Sequence, residues 1–218
     1  MGKNISIVTG ATGGLGREFV KLLLQEEVDE IWVVARNIEL LNKLRDNDML
    51  RNHNPVIQFL INNAGGGRMG AYHEFSKDEI AAHVMTHCTS AAILCNLCIP
   101  YMQRGSHIIN MASQSAFQPV PYINLYAASK AFVRSYSRAL NVELKKTNLL
   151  ESERNGKQIH FPAIALPEDV AIKIMKDAKK GKDMSVYGIY VKYMHLLAKV
   201  FPHKLVMKTW LKQIKDYI

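Results

Sequence analysis

The sequence predicts an α/β fold: a doubly wound parallel sheet with helices on both faces, followed by a C-terminal helical tail. Two observations carry this. Short apolar, β-branched runs alternate with stretches whose apolar residues recur every three or four positions, which is the pattern of strand and helix in turn. The strands are apolar throughout rather than alternately apolar and polar, so both faces of the sheet must be covered, as crossover helices cover a parallel sheet.

The elements follow in order. Ile5 to Thr9 is a first strand ending at Gly10, and Leu15, Phe19, Leu22 and Leu23 mark the helix after it. Glu30 to Ala35, with Ile31-Trp32-Val33-Val34, is a second buried-type strand; a short helix carries Leu40, Leu41 and Leu44. Val56 to Ile61 is a third strand, closing at Asn62-Asn63-Ala64-Gly65, after which Gly65-Gly66-Gly67 breaks the chain into a loop. Ser76 and Glu79 have the spacing of a helix-capping box, and the helix runs to about Met102. His107 to Met111 is a fourth strand, and Tyr126 to Lys145 is helical through Ala127, Ala131, Val133, Leu140 and Leu144. Pro167 opens a helix ending near Lys180-Gly181, and Ser185 to Tyr187 reads as one more short strand. Val191, Met194, Leu197, Ala198 and Phe201, then Val206, Trp210 and Ile214, recur at helical spacing.

Bulk properties fit one globular domain. The 218 residues are 48% apolar and 22% charged, ordinary for such a domain. No stretch reads as long and apolar enough to span a bilayer, and no leader precedes the first strand, so the expected location is cytoplasmic. Cys95-Asn-Leu-Cys98 and Cys88 lie in a long apolar helical run with no second pair and no histidine set nearby; they read as reduced core cysteines, with no metal site. The net charge is +9, and Lys179 to Ile218 supplies +7 of it, nine Lys against two Asp. Solvated helix faces account for this best. No recognition motif accompanies the charge, which argues against nucleic acid. For the tail, packing on its own domain or on a second subunit is the first expectation, a substrate lid or a membrane-surface foot the others.

Two patterns carry chemistry. Thr9-Gly10-Ala11-Thr12-Gly13-Gly14-Leu15-Gly16 joins the first strand to the first helix. Glycines there let the backbone approach a pyrophosphate, and the free N–H groups at the positive end of the helix hold the anion. Gly10, Thr12, Gly13, Gly14, Leu15 and Gly16 are therefore candidate cofactor contacts. The second strand ends without an acid, and Arg36 follows Ala35. An arginine at that tip suits a ribose 2′-phosphate, so NADP(H) is expected over NAD(H). The second pattern is Tyr126-Ala-Ala-Ser-Lys130, which puts a phenol and an ammonium on one helix face, one turn apart. The cation favours the phenolate and fits the tyrosine to give a proton to a carbonyl oxygen or take one from an alcohol. Ser113, two residues beyond the fourth strand, can hold the same oxygen.

Together, Thr9/Gly10/Gly14/Gly16, Asn62-Asn63-Ala64-Gly65, Ser113 and Tyr126/Lys130 resemble, in order and spacing over about Ile5 to Leu144, the short-chain dehydrogenase/reductase family. The resemblance implies a Rossmann-type fold, Tyr126 as acid/base, Ser113 polarising the substrate oxygen, Lys130 on the nicotinamide ribose, and Asn63, Ala64 and Gly65 beside the adenosine. It also implies a homodimer or homotetramer and a small carbonyl or alcohol substrate. On this basis residues 1–188 form the dinucleotide-binding and catalytic domain, and 189–218 are its amphipathic basic tail. Gln118-Pro-Val-Pro121 and the tail resemble, more weakly, reductases of the 17β-hydroxysteroid and long-chain 3-oxoacyl type.

Three features depart from the family pattern. His87 stands where the family has an asparagine that supports a water in the proton relay; an imidazole can also bind a water and titrates near neutrality. Only twenty residues separate Ala35 from Val56, and Asp46 to Asn52 does not read as the strand expected there. After Thr147 the chain is polar, with no Pro-Gly turn. Unpaired strand edges inside a buried sheet are costly, so two segments read as missing from the chain. These departures favour a second functional class, a non-catalytic NADP(H)-binding sensor or scaffold, whereas Ser113, Tyr126 and Lys130 favour the enzyme.

Overall fold

The computed structural model describes residues 2–34, 48–146, 167–200 and 207. Among these, four parallel strands form one sheet: β1 (Asn4–Thr9), β2 (Glu30–Val34), β3 (Val56–Asn62) and β4 (His107–Asn110), in the order β2-β1-β3-β4. The helices are α1 (Gly14–Leu23), α2 (Asp48–His53), α3 (Lys77–Val84), α4 (Ser90–Cys98), α5 (Asn124–Lys146), α6 (Pro167–Lys179) and α7 (Ile189–Val200). The doubly wound arrangement is as the sequence predicts. Val8, Phe59, Ile61 and Ile109 pack on one face against Phe19 and Leu23 of α1 and Ala171, Ile174 and Met175 of α6. Ile5, Ile7, Ile57 and Leu60 pack on the other against Leu94, Cys95 and Cys98 of α4, with Tyr136 and Leu140 of α5. Each such side chain, fully buried, contributes about 1.5–3 kcal/mol.

Strict alternation would send Ile57 and Leu60 to opposite faces. They share one because Ile5 pairs with Ile57 while Ser6 pairs with Phe59, leaving Gln58 as an extra residue, a β-bulge. The Ser106 hydroxyl donates to the Ile57 carbonyl at 2.7 Å, tying the bulge to the turn that enters β4.

Three expectations need correction. Ser185 to Tyr187 is not a strand; this segment is fixed by side chains, since the buried carboxylate of Asp177 accepts from Lys173, Lys182 and the Ser185 hydroxyl. β2 is not a buried strand: among the described residues it lies at the sheet edge, with Val34 buried and Val33 43% exposed. Within the helical run Lys77–Tyr101 an 18-residue stretch has a mean hydropathy of 1.3, apolar enough by length and composition to cross a membrane, because the charged residues of the run are confined to its first turn. In the fold this run packs against β3 and α5. Asp48–His53 is helical, in keeping with the absence of strand character there. Arg36, the helix carrying Leu40, Leu41 and Leu44, the polar stretch after Thr147, and Phe201, Val206, Trp210 and Ile214 lie outside the described residues. The three cysteines are free and buried.

Candidate functional site

The carboxyl ends of β1, β3 and β4 lead into the predicted Gly10, Asn63 to Gly65 and Ser113. At the end of β1, Gly10 adopts φ +66, where a Cβ would lie 2.8 Å from the Ala64 Cα; conformation and space both demand glycine. The Thr9 hydroxyl accepts from the backbone N–H of Asn63 at 3.0 Å and of Ala64 at 2.9 Å. The Asn63 amide in turn donates to the Gly10 carbonyl at 3.2 Å. One hydroxyl and one amide thus lock the two glycine-bearing turns together. Gly13 is the N-cap of α1 and contributes no side-chain cap, and the first turn, Gly14-Leu15-Gly16, holds no acid. The N–H groups at that end are free to receive an anion, and a Cβ on Gly13 would meet no atom nearer than 3.6 Å. Thr12 lies exposed beside them. A dinucleotide pyrophosphate fits this turn.

The helix that faces α5 changes geometry at the site. Ser76 caps α3, its hydroxyl accepting from Glu79 N–H while the Glu79 carboxylate accepts from Ser76 N–H, the predicted capping box. Between α3 and α4 the chain makes one π-helical turn, Met85–Thr89. The wider turn buries the consecutive residues His87 and Cys88; π turns inside helices recur at functional sites.

His87 is 4% exposed. Its Nε2 lies 3.1 Å from the Gly66 carbonyl. A carbonyl can only accept, so Nε2 carries the hydrogen and the neutral ring leaves Nδ1 as a bare acceptor; Nδ1 is buried with no partner. The ring also explains Gly65, which has φ +127 and where a Cβ would come within 2.6 Å of Nδ1. Burial, then the Lys130 charge, pushes the His87 imidazole down to about 4.

Tyr126 and Lys130 share one face of α5 as predicted. The Lys130 ammonium lies 5.6 Å from the Tyr126 ring centre and donates to the Met111 carbonyl at 2.7 Å. Lys130 is 4% exposed, and burial pushes its ammonium down to about 8. The Tyr126 ring meets the His87 ring edge-on at 5.6 Å, and Gly67 lies under it, a Cβ there being 3.4 Å from the ring. Behind these groups, Asn62 donates to Asn110 at 2.7 Å and Asn110 to Ser137 at 2.9 Å, joining the ends of β3 and β4 to α5. A small cavity of about 10 Å³ lies between His87, Lys130, Thr86, Ser90 and Asn62; it has room for one water and polar groups to hold it.

Ser113 follows β4 in extended backbone and caps the turn Gln114–Phe117, accepting from Ser115 N–H at 3.3 Å. It lines a second, larger cavity of about 510 Å³ beside β4. The structure therefore gathers Gly65, His87, Tyr126 and Lys130 tightly, sets the Gly10–Gly16 turn beside them through Ala64, and places Ser113 at the adjoining strand end. Sequence reasoning missed His83, whose ring stacks on His87 at 4.1 Å and 18°. The signal was present: His83 and His87 are four apart in one helical run, the spacing at which side chains meet.

Chemically, a phenol next to a buried ammonium can transfer a proton to or from an oxygen beside it, and the glycine turn can anchor a dinucleotide across the same strand ends. A family profile described as short chain dehydrogenase matches residues 48–151. An uncharacterized oxidoreductase of Staphylococcus epidermidis is 25% identical over 211 residues, covering 86% of this chain and 91% of its own. Because 86% of 218 residues falls short of 211 positions, that relative holds residues inside the match that this chain lacks. A very-long-chain 3-oxoacyl-CoA reductase of Neurospora crassa is 27% identical over 170 residues, covering 64% of this chain, which spans 51% of that enzyme. In fold, the chain is similar to a short-chain dehydrogenase from Streptomyces avermitilis, with a TM-score of 0.71, 16% identity and coverage of 99% and 97%.

Proposed function

We propose that the chain, which a short chain dehydrogenase profile matches over residues 48–151, is a short-chain dehydrogenase/reductase: an NADP(H)-dependent oxidoreductase interconverting a carbonyl and a secondary alcohol. The observation that carries the reading is the Tyr126–Lys130 pair. A lysine 4% exposed, with the Met111 carbonyl as its acceptor, is a costly arrangement for a merely structural residue, and it sits beside the Tyr126 ring. Tyr126 gives its hydroxyl proton to the substrate oxygen, Lys130 favours the phenolate that remains, and Ser113 polarises the carbonyl.

Gly10, Thr12, Gly13, Gly14, Leu15 and Gly16 would hold the pyrophosphate, Asn63, Ala64 and Gly65 the adenosine side, and Tyr126 with Lys130 the nicotinamide ribose. A nicotinamide, when bound, supplies or accepts the hydride. Arg36, directly after Ala35, supports NADP(H) over NAD(H). Gln118-Pro-Val-Pro121, the basic tail and the name of the Neurospora relative support a lipophilic substrate of long-chain 3-oxoacyl or steroid type. In this reading the enzyme is a cytoplasmic homodimer or homotetramer whose tail, 189–218, packs on its own domain or on a second subunit. The test is NADPH and NADH consumption against a panel of ketones, steroids and 3-oxoacyl thioesters. Turnover with NADPH on a long-chain 3-oxoacyl thioester or steroid is expected; preference for NADH, or for short polar ketones, would overturn the finer assignment.

A further inference from the structure

We propose that the open edge of β4 and the cavity beside it form a docking slot for an extended peptide strand, apolar along its length and acidic at the end that meets Arg134 and Arg138.

The backbone sets the geometry. Among the described residues β4 is the last strand of the sheet, paired with β3 on one side only. The Met111 N–H donates to the Asn62 carbonyl at 3.0 Å, so Met111 faces β3, and by the alternation of an extended chain Ile109 and His107 face it too. Ile108 and Asn110 therefore turn their N–H and C=O groups toward the open side. That side is the cavity of about 510 Å³, and the whole stretch from Gly105 to Gln114 lines it. Sheet edges are ordinarily blunted by a lysine, a proline or a bulge; His107-Ile-Ile-Asn110 has none of these. A row of backbone groups that faces a cavity, with no strand beside it among the described residues, is what an added strand satisfies.

The walls choose the occupant. α5 stands on one face of the sheet and α6 on the other, and residues 181–187 border the slot between them. One extended chain fits there, whereas the edge of a second copy's sheet, carrying its own helices, does not. Leu140 and Leu144 of α5 and Val170 and Ile174 of α6 line opposite walls, so the side chains of an added strand, alternating between the two, meet apolar surface both ways. The charge is one-sided: Arg134, Arg138, Lys179 and Lys182 line the slot against Asp183 alone. Lys179 and Lys182 already hold Glu26 and Asp177. Arg134 instead lies over the Phe117 ring, and Arg138 makes a long, exposed contact of 3.8 Å with Asp183. Two guanidiniums one turn apart on α5 are thus placed for the peptide's carboxylates. Neither Tyr126 nor Lys130 lines the slot, so docking there does not require turnover.

The experiment titrates the full chain with a fluorescein-labelled peptide, Thr-Val-Ile-Val-Glu-Glu, by anisotropy, and follows amide hydrogen exchange at Ile108 and Asn110 by NMR with and without the peptide. Saturable binding that slows exchange at both amides is expected. Of two peptides methylated on alternate backbone nitrogens, the one blocked on the side facing β4 should bind at least about tenfold more weakly than the other. Ile108→Pro, which takes away one outward N–H and leaves the ladder to β3 intact, should weaken binding by a similar factor. Arg134→Glu with Arg138→Glu, or lysines in place of the peptide's glutamates, should do the same. The methylated pair decides the matter on wild type if the variants do not fold. No saturable binding would overturn the slot, as would equal binding of the parent and both methylated peptides. Ile108 and Asn110 amides already protected in the free chain would overturn it too, since the chain would then cover this edge itself.

Discussion

The two halves of the site are built on different principles. The half proposed to hold the nucleotide, from Gly10 to Gly16, is made of backbone: a glycine at φ +66, a helix end with no side-chain cap, and an open surface around Gly13. The half proposed to do the chemistry, His87, Tyr126 and Lys130, is made of titratable side chains: lysine and histidine are each 4% exposed and held below their ordinary pKa, and Tyr126 is half-buried beside them. Backbone amides do not titrate, so the first half should bind its ligand over a broad pH range. Desolvated side chains do, so the second should be sensitive to both pH and single-atom changes. The Thr9 hydroxyl, bonded to the Asn63 and Ala64 amides, is the hinge that keeps the halves in register.

The largest separation of the halves is expected from Lys130→Met. Removing the ammonium should cost roughly 10²–10³ in kcat, and wild-type activity should decline above about pH 8, where Lys130 loses its proton, while the variant shows no such limb. A pH–rate profile of both proteins checks this. Next in size, Gly10→Val should weaken cofactor binding at least about 100-fold, because a β-branched residue at positive φ costs on the order of 1–3 kcal/mol and its Cβ meets the Ala64 backbone; titration of NADPH fluorescence reads it. The smallest effect is on stability. The unfolded His87 titrates at its ordinary value and the folded one at about 4, so between these the unfolded chain binds the extra proton. Stability is full above about 6.5 and is lost as pH falls toward 4, with a slope of at most about 1.4 kcal/mol per pH unit for that one proton. Denaturant melts at pH 7 and 5 should show the loss, and His87→Asn should flatten it.

Much of this was legible in the sequence, for physical reasons. Apolar strand runs and helical periodicity fix the layers, and the glycine turn, the capping box at Ser76 and the Tyr126/Lys130 spacing each depend on a few adjacent residues. What was not legible depends on geometry that arises only in the assembled fold. The bulge at Gln58 shows only once β1 and β3 are paired, and the π turn that buries His87 and Cys88 together violates the 3.6-residue period on which the helix was read. Ser185 to Tyr187 looked like a strand because its local composition suits one, but Asp177, eight residues before Ser185, holds it by a side-chain bond instead. Beyond Lys77, Asp78 and Glu79 in its first turn, the run Lys77–Tyr101 has only uncharged polar residues such as His83, Thr86, His87, Thr89, Ser90 and Asn96, so its apolarity shows only when it is summed over the length of a helix.

The central claim is that the Tyr126 hydroxyl does the acid–base chemistry while the glycine turn supplies most of the cofactor's binding. The direct measurement is Tyr126→Phe, with turnover and NADPH affinity taken on the same sample. The account predicts that turnover falls by about 10³-fold or more while the NADPH Kd stays within about threefold. Equal turnover in both proteins, or no turnover in a folded, NADPH-binding wild type, would contradict it; the latter would point to a protein that holds the cofactor without using it.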